Sequence, residues 1–129
     1  VAALKTISEM EKLRSWEVIT NIGRSMQEIW HGVYDSLEID FKVSGIPALS
    51  TFTLLGENGN KLKTWITQEM LKRGILASNI FYPCIAHTAD HLKIYESNLY
   101  QLLSEVWKDG ELKLPLNVTP AQTGFKRLN

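Results

Sequence analysis

Apolar side chains recur at every third or fourth position over the first third of the chain, alternate with polar ones for a short stretch, and then return to the helical step. Leu4, Ile7 and Met10 predict a helix from Val1 to about Glu11, and Ser15 stands where it can cap a second one. In that second helix Trp16, Ile19, Ile22, Met26, Ile29, Trp30, Val33 and Leu37 draw one stripe over about six turns. Gly23 and Gly32 interrupt the pattern at roughly 1 kcal/mol each relative to Ala, which points to close packing or an earlier helix end. Past Leu37 the period drops to two. Ile39, Phe41 and Val43 alternate with Asp40, Lys42 and Ser44 as in a strand, and Gly45-Ile46-Pro47 breaks it. Ala48 to Leu55 is a second extended run ending at Gly56-Glu57-Asn58-Gly59-Asn60, so the two form a hairpin or an adjacent pair.

Asn60 is placed to cap a helix from Lys61 to Lys72 with Leu62, Trp65, Ile66 and Met70 inward and Gly74 as its stop. Ile75 to Ala86 is apolar but interrupted at Ser78-Asn79 and Pro83, which predicts one or two short strands with an edge or bulge at the proline. Thr88 then caps a long helix carrying Leu92, Tyr95, Leu99, Leu102, Leu103 and Val106 on one face, with Asp90 at the positive end of its dipole and Lys108 and Gly110 closing it. Residues 111–129 lack a period and form an irregular tail. The predicted fold is one α+β domain over 1–129, a small, mainly antiparallel sheet with helices packed on one face.

Composition narrows the classes of partner. Fourteen basic and fourteen acidic residues among 129 leave no net charge, so nucleic acid and anionic membrane are not expected partners. No apolar run reaches the roughly 20 residues of a membrane span, and no signal-like segment opens the chain. The single cysteine, Cys84, lies in an apolar run and is expected as a buried structural thiol of a cytoplasmic, reducing compartment. The opening Val1-Ala2-Ala3-Leu4 enters a helical pattern with no methionine or capping residue before it, as expected of a chain whose preceding residues have been removed.

Chemistry-bearing groups are sparse. His87 and His91 have metal-ligand spacing, but Thr88 as N-cap puts His87 outside the helix and a third ligand is missing, so no metal is expected. The glycines of 56–60 lack the spacing and lysine of a phosphate loop. Ser50, Ser78 and Ser104 have no nucleophile-elbow glycines, and nothing beside Cys84 in sequence would activate its thiol, so no catalytic residue is expected in this chain. Trp16, Trp30, Trp65 and Trp107 each fall on or beside an apolar stripe as packing residues.

Three blocks carry a resemblance: Ser44-Gly45-Ile46-Pro47-Ala48-Leu49, then Lys63-Thr64 with 67–78, and Ile85-Ala86-His87-Thr88-Ala89-Asp90-His91-Leu92. In this order they resemble the closing third of class III, pyridoxal-phosphate (PLP)-dependent aminotransferases of the glutamate-1-semialdehyde aminomutase type, and Gly124-Phe125-Lys126-Arg127-Leu128 is similar to a tail in some members. The resemblance implies a dimeric fold-type I enzyme whose cofactor lysine and phosphate loop sit on a large domain that this chain would partner. None of the ten lysines here stands in a context like the cofactor lysine's, so no cofactor is expected on this chain and no activity from it alone. The small domain in such enzymes walls one side of the site, and the segment before Ala-His-Thr, here Ser78-Asn79-Ile80-Phe81-Tyr82, approaches the small-molecule amino substrate. Asn79 and Tyr82 are the substrate-binding candidates. Asn79 falls about where aminomutases carry a carboxylate, and Ile80 about where many ω-aminotransferases carry an arginine, so the resemblance implies a related aminotransferase with another substrate. The alternative is an independent, non-enzymatic α+β binding or regulatory module.

Overall fold

The computed structural model describes residues 1–108, 110–115 and 118–121. Helix α1 (Ala2–Leu13) leads through Arg14, which adopts a left-handed conformation, into α2 (Ser15–Ser36). Ser15 is therefore the first residue of α2 rather than its cap: Arg14 holds the cap position without a side-chain capping bond, and Ser15 is itself buried. The stripe of α2 is inward as predicted at Met26, Trp30 and Val33, and Tyr34, outside the predicted stripe, is buried as well. That of α1 is not, since Leu4, Ile7, Met10 and Leu13 stay exposed against the described residues, and Trp16 at the start of α2 is about half exposed instead of packed.

Strands β1 (Phe41–Ile46) and β2 (Leu49–Leu54) form an antiparallel hairpin in which Val43 faces Phe52 and Ile46 faces Leu49. Gly45 and Ile46 thus belong to the strand, and only Pro47 and Ala48 make the turn. Because side chains alternate across a sheet, Phe41, Val43, Ser50, Phe52 and Leu54 share one face. That face meets α2: the ring centroid of Phe52 is 4.9 Å from that of Trp30, and Phe41 lies 4.8 Å from Tyr34. Buried Ser50 accepts from Gln27 Nε2 at 2.8 Å, fixing the hairpin end to α2. Gly23 marks the tightest approach, since a Cβ there would lie 1.8 Å from the carbonyl oxygen of Pro47. The opposite sheet face carries Lys42, Ser44, Thr51 and Thr53 and is open.

Helix α3 (Gly59–Lys72) begins two residues before the predicted start, and Asn60 does not cap it. Its amide donates instead to the carbonyl of Ala121 at 2.8 Å, while Ala121 N–H donates to Thr64, so the chain beyond the last strands is anchored along α3. The helix ends in a left-handed glycine, Gly74 at φ 77°, with Gly74 N–H bonded to Leu71 O and Ile75 N–H to Met70 O. That pattern satisfies the last carbonyls and needs a residue tolerant of positive φ. Arg73, just before it, donates to Asn98, Gln101 and Glu105. These side chains lie on α4 (Ala89–Val106), so the Arg-Gly pair of the sequence motif builds the fold.

The extended segment after Gly74 contributes only β3 (Ile80–Phe81), an edge strand antiparallel to β2. Of the one or two short strands that Ile75 to Ala86 predicts, one forms, at the sheet edge. Ser78 Oγ bonds both the N–H and the carbonyl of Ile80, a local loop that competes with the ladder, and Pro83 removes a donor two residues past Phe81. Helix α4 is capped as predicted but ends at Val106, short of the predicted close at Lys108 and Gly110; the chain then makes a short hairpin, β4 (Trp107–Lys108) with β5 (Glu111–Leu112), the latter within the stretch predicted as an irregular tail. Gly124 to Leu128, the tail of the resemblance, lies outside the described residues. The result is the predicted α+β architecture. A three-stranded antiparallel sheet, ordered β1-β2-β3, is covered on one face by α2 and α3, and α4 packs against both.

The core includes two buried tyrosines. Tyr95 accepts a 2.9 Å hydrogen bond from Trp30 Nε1, whereas the Tyr34 hydroxyl has no partner among the described residues. Burial, opposed by the bond from Trp30, pushes the Tyr95 hydroxyl up to about 12, and burial together with repulsion from Tyr95 raises Tyr34. Both groups hold their protons more tightly folded than unfolded, so their stabilisation is complete below the ordinary tyrosine value of about 10 and is lost as pH rises through the folded value. Unfolding free energy is expected to fall by roughly 2–3 kcal/mol between about pH 10 and 12 from Tyr95 alone, read by urea melts in that window. Tyr34→Phe, which removes an unpaired buried hydroxyl, is expected to leave neutral-pH stability unchanged or about 1 kcal/mol higher and to shrink the alkaline loss. A loss above about 1 kcal/mol at neutral pH would show that the hydroxyl is bonded after all.

Candidate functional site

The chemistry-bearing side chains that the fold gathers lie around one open cavity of about 520 Å³. Its walls are Met26 and Trp30 of α2, the irregular segment 74–87, and the first turns of α4 through Tyr95. The opening is a product of the short β3. Segment 74–78 leaves α3 without joining the sheet, residues 82–88 lead back to α4, and both stretches line the cavity together with Trp30.

The entry to α4 is built by two histidines used in the same way. His87 Nδ1 accepts the N–H of Cys84 at 3.0 Å, and His91 Nδ1 accepts the N–H of Thr88 at 3.2 Å while Thr88 Oγ1 accepts the N–H of His91. The second pair is a reciprocal capping box, with histidine in the place usually held by Glu or Gln. In the neutral rings each proton must therefore sit on Nε2. The ring centroids are 6.5 Å apart, and that of His87 lies 5.1 Å from Phe81. Binding one metal through both Nε2 atoms would require tautomers that break both main-chain bonds, and among the described residues no group of three His, Cys, Asp or Glu side chains could hold a metal ion. Cys84, expected to be buried, is exposed at the cavity rim because it follows Pro83 in a loop with no layer above it; its Sγ lies 3.3 Å from His87 Nδ1.

The two predicted substrate residues flank β3 and line no part of this cavity. Asn79 is half-buried, with its amide donating to Thr51 Oγ1 and Phe52 O and its own carbonyl accepting from Phe52 N–H and Thr51 Oγ1. Four bonds lock β3 to β2 through this one residue. Tyr82 is 68% exposed. What the sequence missed is the meeting of Trp30 and Tyr95, 65 positions apart, at the cavity floor. Both sit on helical stripes, which mark them as core without pairing their polar tips.

No lysine or arginine lines the cavity, and the described lysines are exposed or half-buried. A pyridoxal phosphate needs a desolvated lysine and a phosphate cradle, and these residues do not supply them. No helix among the described residues is long and apolar enough to cross a membrane.

No protein-family model matches the sequence, and no curated protein matches it. The fold does have a solved counterpart, the PLP internal aldimine form of the FumI protein of Sphingopyxis sp. MTA144, at a TM-score of 0.73 and 15% sequence identity. The likeness covers 92% of this chain but only 28% of that one. At this identity it shows a shared fold: the chain is a small α+β domain of a kind found as one part of a larger, PLP-containing protein.

Proposed function

We propose that this chain is the C-terminal small domain of a PLP-dependent aminotransferase or aminomutase, similar to class III enzymes of the glutamate-1-semialdehyde aminomutase type, and that it forms one wall of the active site. The observation that carries this reading is the likeness over 92% of the chain to little more than a quarter of a PLP-containing protein. The ordered sequence blocks supply the finer family. The cofactor, when bound, would provide the electron sink for amino-group transfer, and in this reading its lysine and phosphate loop belong to a large domain of the same polypeptide. In this reading the full-length enzyme is a cytoplasmic homodimer acting on a small amino substrate, and the 129-residue chain has no activity alone.

The residues of this chain bind and position. Tyr82 offers an exposed phenol with no intramolecular bond among the described residues, and Asn79 holds the strand that presents it, leaving Oδ1 free for a substrate donor. The absence of Arg and Lys from segment 74–88 means that this wall has no fork for a substrate carboxylate.

The coding sequence upstream of Val1 tests the larger claim. A few hundred further residues containing a lysine at a strand end, with stoichiometric PLP on the purified longer product, are expected, and a start codon immediately before Val1 or amino-group exchange by the 129-residue chain alone would overturn it. In the longer enzyme, Tyr82→Phe is expected to raise KM about fivefold with kcat within about twofold, the size of one lost hydrogen bond in binding. Unchanged steady-state constants would remove Tyr82 from the site.

A further inference from the structure

We propose that the entry to α4 is a pH-operated latch: two neutral imidazole rings hold it shut, and a proton on either one releases the main chain that the ring clasps. The two clasps are built alike. His87 Nδ1 takes the N–H of Cys84 at 3.0 Å and His91 Nδ1 takes the N–H of Thr88 at 3.2 Å, each three residues back along the chain. A ring nitrogen that carries a proton cannot accept, so at each ring protonation and the main-chain bond exclude one another. The usual capping-box residues behave differently, since Glu accepts down to its own value of about 4.3 and Gln accepts at any pH.

The surroundings offer the charged rings little. The first turn of α4 brings the positive end of its dipole to both, and with centroids 6.5 Å apart two imidazolium ions repel each other. On α4 itself Asp90 is the anion nearest in sequence, and neither ring bonds it among the described residues. From segment 74–87, His87 is faced by the ring of Phe81 and by the thiol of Cys84, a weak acceptor, at 3.3 Å. From α2 the cavity receives only Met26 and Trp30, while Glu28 lies in a neighbouring groove with Lys93 and Glu96 of α4. Tyr95, one turn further along α4, is already bonded by Trp30. Above the ordinary histidine value of about 6.5 both clasps are closed, and they open as pH falls through it. Cys84, Ala86, His87 and His91 of the clasped stretch line the cavity, so acid loosens that wall and leaves the rest of the domain in place.

Every group in the latch belongs to this chain, so the proposal stands or falls separately from the aminotransferase reading, and the 129-residue protein is titrated by NMR from pH 8 to 5. At pH 8 both rings are expected as Nε2–H tautomers. The Thr88 amide proton is expected to shift with the titration of the His91 ring, and the Cys84 amide proton with that of His87. The Leu92 amide, bonded to the Thr88 carbonyl, is expected to lose protection from exchange about tenfold between pH 8 and 5 after correction for the intrinsic rate, with buried Leu103 near the far end of α4 unchanged. His91→Gln supplies an acceptor that does not titrate, so the Thr88 shift and the Leu92 protection should stay constant while the Cys84 response persists. His91→Ala, at an exposed position, should show the low-pH protection of Leu92 at both ends of the range. Nδ1–H tautomers at pH 8, a Thr88 amide indifferent to the His91 ring, Leu92 protection that holds down to pH 5, or a His91→Gln protein that still loses it would overturn the proposal.

Discussion

Trp30→Ala is expected to lower the unfolding free energy by about 3–5 kcal/mol, a large part of the roughly 5–15 kcal/mol that a domain of this kind possesses. Trp30 is 1% exposed, meets Phe52 edge-on from the sheet and donates to Tyr95 from α4, so it joins three elements at one point. Losing the side chain opens a cavity and also leaves the buried Tyr95 hydroxyl without its indole donor. Trp30→Phe separates the two contributions. It keeps most of the ring contact with Phe52 and loses the N–H, so about 1–2 kcal/mol is expected. In a double-mutant cycle with Tyr95→Phe, a coupling of about 1 kcal/mol is expected from urea-melt midpoints. Strict additivity would mean that the two side chains do not meet.

The second large effect is a difference of sign between two glycines in one helix. Gly32→Ala is expected to stabilise α2 by up to about 1 kcal/mol, because its Cβ would meet nothing within 4 Å and Ala is the better helix former. Gly23→Ala is expected to cost about 2–3 kcal/mol net of that gain. Its Cβ would stand 1.8 Å from the Pro47 carbonyl oxygen, a main-chain atom in the tight β1–β2 turn that cannot swing aside as a flexible side chain would. The hairpin end must lift from α2, and the bond from Gln27 to Ser50 goes with it. Thermal melts of the two variants decide the matter, and a Gly23→Ala protein as stable as the parent would mean that α2 and the turn lie further apart.

The stripe of α2, the inward face of α3 and the Thr88 start of α4 follow directly from residue order, because a 3.6-residue period and a capping side chain are local properties. The Schellman-type end at Gly74 is local too. Ambiguity began where residues had two possible uses. Asn60 has the right side chain for a cap, but its amide is bonded to Ala121, 61 positions away. The Ile75–Ala86 stretch has strand composition, yet Ser78 and Pro83 leave only two residues in the ladder. For the candidate site, the break in the extended run at Ser78-Asn79 and Pro83 was legible in the sequence; the way Asn79 is committed to sheet bonds was not.

By itself, the sequence determined the fold class, the inward faces of α2, α3 and α4, and the order of elements from α1 to α4. Periodicity encodes which side of each element avoids water, and that information lies within a few residues. Only the tertiary structure decided which faces meet, that Gly23 is a contact point and Gly32 is not, that Trp30 and Tyr95 share a hydrogen bond, and that Cys84, His87 and His91 rim an uncharged cavity. These depend on distances between segments tens of residues apart, and such distances are fixed by the packing of the whole domain.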